Sequence, residues 1–162
     1  SRVFDDGFTS RLQRVLREER GLVYSVECRA TSMSDLGTMD FDVTVRPEKV
    51  VEVTRILLKE VKTFATEGPT ESELAHIKKR YFFDLDSELD DPYKQVVRYA
   101  FPHLYSSEMS IQEERELIES ITAKKMLEVA EKVFEAKNLN FILVGPYTNE
   151  LKFRLEELIH QF

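Results

Sequence analysis

The sequence predicts an α+β fold in which helices cover one face of a mostly antiparallel sheet. Segments 22–33 and 36–46 alternate between apolar and polar residues and are joined by the polar pair Ser34 and Asp35. This pattern predicts a hairpin with one face in water. Apolar residues at helical spacing follow over most of the remaining chain. A continuous apolar run at 139–144 predicts one more strand, buried on both faces.

The first predicted element is a helix over residues 1–19, where Asp5 and Asp6 favour its start. Gly21 is expected to close it in a left-handed conformation. In the strand that follows, strict alternation places five side chains on the apolar face: Leu22, Tyr24, Val26, Cys28 and Ala30. Cys28 is therefore interpreted as an inert, packed thiol.

The helical part is delimited by proline, glycine and capping residues. Pro47 begins a helix that Gly68 ends, and residues 70–73 form a capping box that opens the next. Later helices are predicted at 93–104, 111–118, from Thr122, and over 151–162. The chain is expected to be a single domain over 1–162, excised without a leading strand and helix, because the predicted sheet needs at least one more strand.

Composition excludes several partners and structural classes. The 162 residues carry a net charge of −7, which argues against nucleic acid or an anionic membrane as the main partner. No apolar run approaches the roughly 18 residues that span a bilayer. The single cysteine cannot form an internal disulfide, so the compartment stays open between cytoplasm and periplasm.

The sequence predicts no metal site. His76, His103 and His160 lie in different segments, and neither H-E-x-x-H nor H-x-x-E-H occurs. A cluster of acidic residues at 84–91 suggests calcium at first sight, but it lacks the central glycine and closing glutamate of a calcium loop. We interpret the cluster as a solvated helix face.

Arg17 and Tyr24 flank the predicted helix-to-strand junction, seven positions apart. From spacing alone, Arg17 is a surface charge near a helix C-terminus and Tyr24 a core aromatic. The functional alternative is that the guanidinium holds a peptide carbonyl or carboxylate, and that the phenol donates to a developing oxyanion.

Two consecutive segments resemble the pitrilysin/insulinase-type (inverzincin) family of zinc peptidases. Residues 7–12 (GFTSRL) and 16–26 (LREERGLVYSV) are similar to the family's G-x-S/T-S-R-L segment and its L-R-E-x-R-G-L-x-Y-S-V signature. Further similar segments follow in the family's order and extend the resemblance over nearly the whole chain: 45–50, 67–74, 121–134 and 138–146.

The resemblance implies the non-metal-binding, C-terminal-type half of such a peptidase, with a fold like that of mitochondrial processing peptidase. Arg17 and Tyr24 fall at the family's arginine–tyrosine pair, which implies that both bind the peptide substrate and that Tyr24 stabilises the oxyanion in trans. The implied partners are the peptide and a catalytic domain bearing H-x-x-E-H, on the same chain or a separate subunit. Zinc is expected in that domain, with no cofactor in this chain.

Two other interpretations stay open. In the second interpretation the chain is an inactive structural subunit of the same fold, in which Arg17 and Tyr24 are relics. A third possibility is an unrelated α+β binding domain. Topology separates the third from the others, because the family fold requires an antiparallel hairpin followed by consecutive helices.

Overall fold

A computed structural model describes residues 1–105 and 107–162. Its contacts divide the chain into two compact units, of which the first combines Ser1–Pro69 with Met126–Phe162 and the second is Thr70–Lys125. Both predicted site residues belong to the first unit. The organisation as one domain over 1–162 stays a prediction.

The elements confirm the predicted α+β class and its order of a hairpin followed by consecutive helices. In chain order the described residues form a π-helix (Gln13–Glu18), β1 (Val23–Ser32), β2 (Gly37–Val45), a 3₁₀ turn (Pro47–Lys49), α1 (Val50–Glu67), α2 (Glu71–Leu89), α3 (Pro92–Leu104), α4 (Ile111–Ser120), α5 (Ala123–Val133), a second 3₁₀ turn (Ala136–Asn138) and α6 (Asn149–His160). No helix among the described residues is both long enough and apolar enough to cross a bilayer.

The predicted hairpin is confirmed. β1 and β2 pair antiparallel, and the ladder runs from Ser32 opposite Gly37 back to Val23 opposite Val45. On β2 partly buried apolar side chains alternate with exposed polar ones, as expected for a sheet with one face in water.

An aromatic cluster forms part of the core of the first unit. The Phe4 ring is 1% exposed and makes edge-to-face contacts with Phe64 at 5.0 Å, Phe41 at 5.2 Å and Phe134 at 5.9 Å between centroids. The cluster therefore ties the N-terminal segment to β2, to α1 and to the end of α5. A second apolar cluster joins α1 to α6 through Val50, Val51 and Leu155.

The second unit is organised by caps and ion pairs. Thr70 and Glu73 form the predicted capping box at the start of α2, with hydrogen bonds of 2.7 and 3.1 Å. Three members of the acidic cluster at 84–91 form ion pairs or cap a helix. Asp86 forms an ion pair with Arg115, and Asp91 caps α3. Glu88 forms ion pairs with Lys94 and Arg98. These roles favour a solvated, ion-paired face over a calcium site.

The predicted helix over 1–19 is wrong in its first half. Residues 1–10 form turns, and the helix begins only at Arg11. Gly7 interrupts the segment with φ of +87°, which L residues rarely adopt. Asp5 does not cap a helix, because its carboxylate binds elsewhere, to Gln13 and to the main-chain N–H of Cys28.

The predicted strand at 139–144 is also wrong. The segment has no ladder partner among the described residues, and Ile142 and Val144 are exposed. The apolar run is typical of a strand that is buried on both faces. Such a strand needs neighbouring strands to pair with, and the sheet among the described residues contains only β1 and β2.

Candidate functional site

Arg17 lies in a π-helix, a wide helical turn that is frequently found at functional sites. The Glu19 N–H reaches back five residues to the Arg14 carbonyl at 2.9 Å, as π-geometry requires. The Arg17 side chain is about half exposed. Its guanidinium lies 5.9 Å from the ring centroid of Phe8 and 3.8 Å from a Glu18 carboxylate oxygen. It is thus loosely held and accessible.

Gly21 turns the chain from the π-helix into β1. Its φ is +57°, as the sequence predicted for a residue that ends a helix. Its N–H donates to the Arg17 carbonyl at 2.9 Å, and the Leu22 N–H donates to the Leu16 carbonyl at 2.8 Å. These bonds satisfy the last carbonyls of the helix and fix where β1 begins relative to Arg17.

Tyr24 sits at a β-bulge. Val23 lies opposite Val45, but Ser25 lies opposite Thr44, so β1 advances two residues while β2 advances one. Tyr24 is the extra residue, and a bulge of this kind re-aims its side chain. Val23 and Val26 are buried on either side of it, whereas Tyr24 is 87% exposed.

Because of the bulge, the side chain of Tyr24 does not follow the strict alternation that the sequence predicts for β1. That alternation places Tyr24 on the same face as Val26 and Cys28, where it would be a core aromatic. The structure confirms the burial of Val26 and Cys28, and it shows that Tyr24 points to solvent. Its hydroxyl has no hydrogen-bond partner within residues 1–105 and 107–162.

Arg17 and Tyr24 therefore flank one turn, with both side chains accessible. No hydrogen bond or cation–π contact joins their side chains among the described residues. The structure brings them to the same junction as two separate polar groups, one cationic and one a neutral donor. Such a pair suits two different points on a ligand better than a single shared atom.

Two residues that the sequence did not assign to the site, Gln13 and Asp5, connect β1 to the π-helix. The Gln13 amide nitrogen donates to the Val26 carbonyl at 2.9 Å and to the Asp5 carboxylate at 3.0 Å, while Asp5 accepts the Cys28 N–H at 3.1 Å. Because β1 pairs with β2 along one edge, these bonds occupy its other edge at Val26 and Cys28. No local pattern signals partners so far apart in sequence.

Cys28 behaves as the packed thiol that the sequence predicted. It lies on the buried face of β1, and burial raises the pKa of its thiol to about 12. A nucleophilic cysteine needs the opposite shift. Cys28 therefore has no place in the candidate chemistry.

We expect Cys28 in the folded protein to react with iodoacetamide at pH 8 on the order of 10²-fold more slowly than in the unfolded protein, because the thiol is buried and protonated. The two rates are compared by mass spectrometry, with and without urea. Equal rates would show that the Cys28 side of β1 opens freely.

Metal-ligating side chains do not converge within the described residues: no group of three or more histidine, cysteine or acidic residues is arranged to hold an ion. The available donors do not fit zinc, which takes three or four converging ligands.

Solved structures share the fold of this chain. The fold is similar to a peptidase M16 inactive domain from Pseudomonas fluorescens, with a TM-score of 0.74 and 21% identity over 83% of this chain and 32% of that one. It is also similar to a protease from Helicobacter pylori, with a TM-score of 0.72 and 16% identity over 83% of this chain and 33% of that one. The chain thus has the fold of a peptidase inactive domain.

The chain belongs to the Peptidase M16 inactive domain family, whose model matches residues 1–81, half of the sequence. This confirms the resemblance read from the motifs, and the match includes Arg17 and Tyr24. Curated relatives include uncharacterized zinc proteases of Mycobacterium bovis, 28% identical over 87% of this chain, and of Streptomyces coelicolor, 26% identical over 94%. The chain spans about a third of the length of these relatives.

Proposed function

We propose that this chain is the substrate-binding half of a zinc metalloendopeptidase, and that it completes an active site whose zinc and other catalytic residues lie in a partner domain. That partner bears the H-x-x-E-H motif and the zinc, on the same polypeptide or on a separate subunit. The family assignment supports the proposal, as do curated relatives that are zinc proteases about three times as long.

The observation that carries the proposal is the exposure of Tyr24. Tyr24 lies at a bulge and is 87% exposed, and its hydroxyl bonds to none of the residues that the structure describes, so its side chain contributes little to the stability of the fold. Its hydroxyl is free to donate to a ligand. In peptide hydrolysis the scissile carbonyl oxygen becomes negative, and a donor aimed at that oxygen stabilises the transition state.

Arg17 has a different role in the proposal. A guanidinium binds carbonyl and carboxylate oxygens through several donors of fixed geometry. The Arg17 side chain is half-exposed, and its ionic and ring partners among the described residues are Glu18 and Phe8, so it can turn toward a bound peptide without breaking a buried ion pair. It therefore contributes to substrate binding, whereas Tyr24 also acts on the reacting group.

We expect Arg17→Ala to raise KM for a peptide substrate about tenfold with kcat little changed, because loss of a charged hydrogen bond weakens substrate binding. Peptide cleavage is measured on the full-length protein, or on this chain assembled with its catalytic partner. Arg14→Ala is the matched control, since Arg14 lies in the same π-helix, is similarly exposed and pairs with Glu19 at 3.7 Å. Equal effects of the two variants would exclude a specific role for Arg17.

The structural-subunit alternative makes a separate prediction for the same assay. If the assembled protein, folded and zinc-loaded, cleaves no peptide, the domain serves a structural role. Peptide binding measured by fluorescence anisotropy then distinguishes a binding module from a purely structural one.

A further inference from the structure

Phe8 is a large apolar residue that lies in solvent beside the candidate site. Its side chain is 69% exposed, so it is not part of the apolar core of its unit. The centroid of its ring lies 5.9 Å from the central guanidinium carbon of Arg17, a distance at which a cation is attracted to the face of an aromatic ring. Phe8 therefore shapes the surroundings of Arg17 rather than the core.

The turn that carries Phe8 is closed by hydrogen bonds, so the ring is presented from a fixed main chain. The N–H and the hydroxyl of Ser10 both donate to the Gly7 carbonyl, at 3.1 and 2.7 Å. Ser10 is buried, and the guanidinium of the next residue, Arg11, donates to the Gly68 carbonyl at 3.0 Å. The Phe8 side chain thus projects into solvent from a turn that is anchored to the rest of its unit.

The contact with Phe8 differs in kind from the other contact of Arg17. The ion pair with Glu18 spans 3.8 Å between two half-exposed side chains, and such pairs contribute little in water. A carboxylate also occupies the N–H donors of a guanidinium, whereas the face of an aromatic ring leaves the donors at its edge available to a ligand. The ring can therefore restrict Arg17 without competing with a peptide for its donors.

We propose that Phe8 is a positioning residue for substrate binding, whose ring holds the Arg17 guanidinium beside the turn with its donors free for the peptide. The inference rests on the proposed function, in which Arg17 binds a peptide oxygen. A long side chain loses rotamer freedom when it binds a ligand. A ring that already restricts the side chain in the free protein reduces that loss, so the peptide binds more tightly.

A double-mutant cycle on the full-length protein tests the inference through KM for a peptide substrate. Phe8→Leu keeps a large apolar side chain but removes the ring, and we expect it to raise KM about two- to fivefold, the value of an exposed cation–π contact. The kcat should change little, because the contact is made in the ground state as well. In the Arg17→Ala background, Phe8→Leu should change KM by about 1.5-fold or less, because the ring then has no cation to hold.

Two further variants make the test specific to the ring. Phe8→Tyr keeps an aromatic ring and should bring KM back to within about 1.5-fold of the wild-type value. Phe153→Leu is the matched control, because Phe153 is 61% exposed in the same unit and its replacement should leave KM unchanged. If Phe8→Tyr raises KM as much as Phe8→Leu does, the ring is not what holds Arg17 and the inference fails.

The cycle also separates failure of this inference from failure of the proposed function. Equal effects of Phe8→Leu with and without Arg17 would mean that Phe8 acts on the peptide directly, which overturns the positioning role. An unchanged KM in Phe8→Leu, beside a raised KM in Arg17→Ala, overturns the inference alone. If Arg17→Ala leaves KM unchanged, or if the wild type cleaves no peptide, the proposed function fails and the inference fails with it.

Discussion

Tyr24→Phe is expected to lower kcat for peptide cleavage by about 10²–10³-fold, the cost of removing one oxyanion donor. The measurement uses the full-length protein, or this chain assembled with its zinc-loaded partner. The change removes one oxygen atom from a side chain that is 87% exposed. Since the hydroxyl bonds to no other described residue, the fold and the melting temperature should not change.

The kinetic pattern separates catalysis from binding. An interaction made only in the transition state lowers kcat and kcat/KM together, whereas a ground-state contact raises KM. Tyr147→Phe is the matched control, because Tyr147 is also exposed and lies in the same unit. Unchanged turnover in Tyr24→Phe would remove the catalytic role and leave this domain as a scaffold.

Phe4→Ala is expected to lower the free energy of unfolding by about 3–5 kcal/mol, the usual cost of deleting a buried phenylalanine. Phe4 is 1% exposed, and three aromatic rings within 5.9 Å would face the resulting cavity. Domains are stable by only about 5–15 kcal/mol, so the loss is a large fraction of the total. Urea unfolding followed by circular dichroism measures it.

The effect should be specific to the aromatic cluster. Phe153→Ala removes a phenylalanine that is 61% exposed in the same unit and should change stability by about 0.5 kcal/mol or less. Phe4 also precedes the segment that carries Asp5 and leads to the π-helix. If Phe4→Ala were as mild as Phe153→Ala, the N-terminal segment would not be part of the core that supports the site.

Local chemistry explains what could be predicted from the sequence. The hairpin, the left-handed Gly21 and the capping box at residues 70–73 were all confirmed. Each depends on residues close together in the chain: a period of two, a residue without a Cβ, or side chains that bond to nearby amides. The family of the chain, which the match over residues 1–81 confirms, is likewise predicted by short motifs around Arg17 and Tyr24.

The failures occurred where distant residues compete with local preference. Asp5 looked like a helix-start residue, but its carboxylate binds the Cys28 N–H, 23 positions away, and Gly7 interrupts the helix. The run at 139–144 looked like a buried strand, but a strand exists only where a second strand pairs with it. Neither outcome is encoded in a window of neighbouring residues.

The α+β class, the hairpin and the identity of the two candidate site residues follow from the sequence alone. That Tyr24 faces solvent is known only from the folded structure. Its direction depends on a bulge, and a bulge is a property of the pairing between β1 and β2 rather than of either strand. One extra residue in the ladder reverses the face on which a side chain lies, so strict alternation places Tyr24 in the core, whereas the paired strands leave it exposed to solvent.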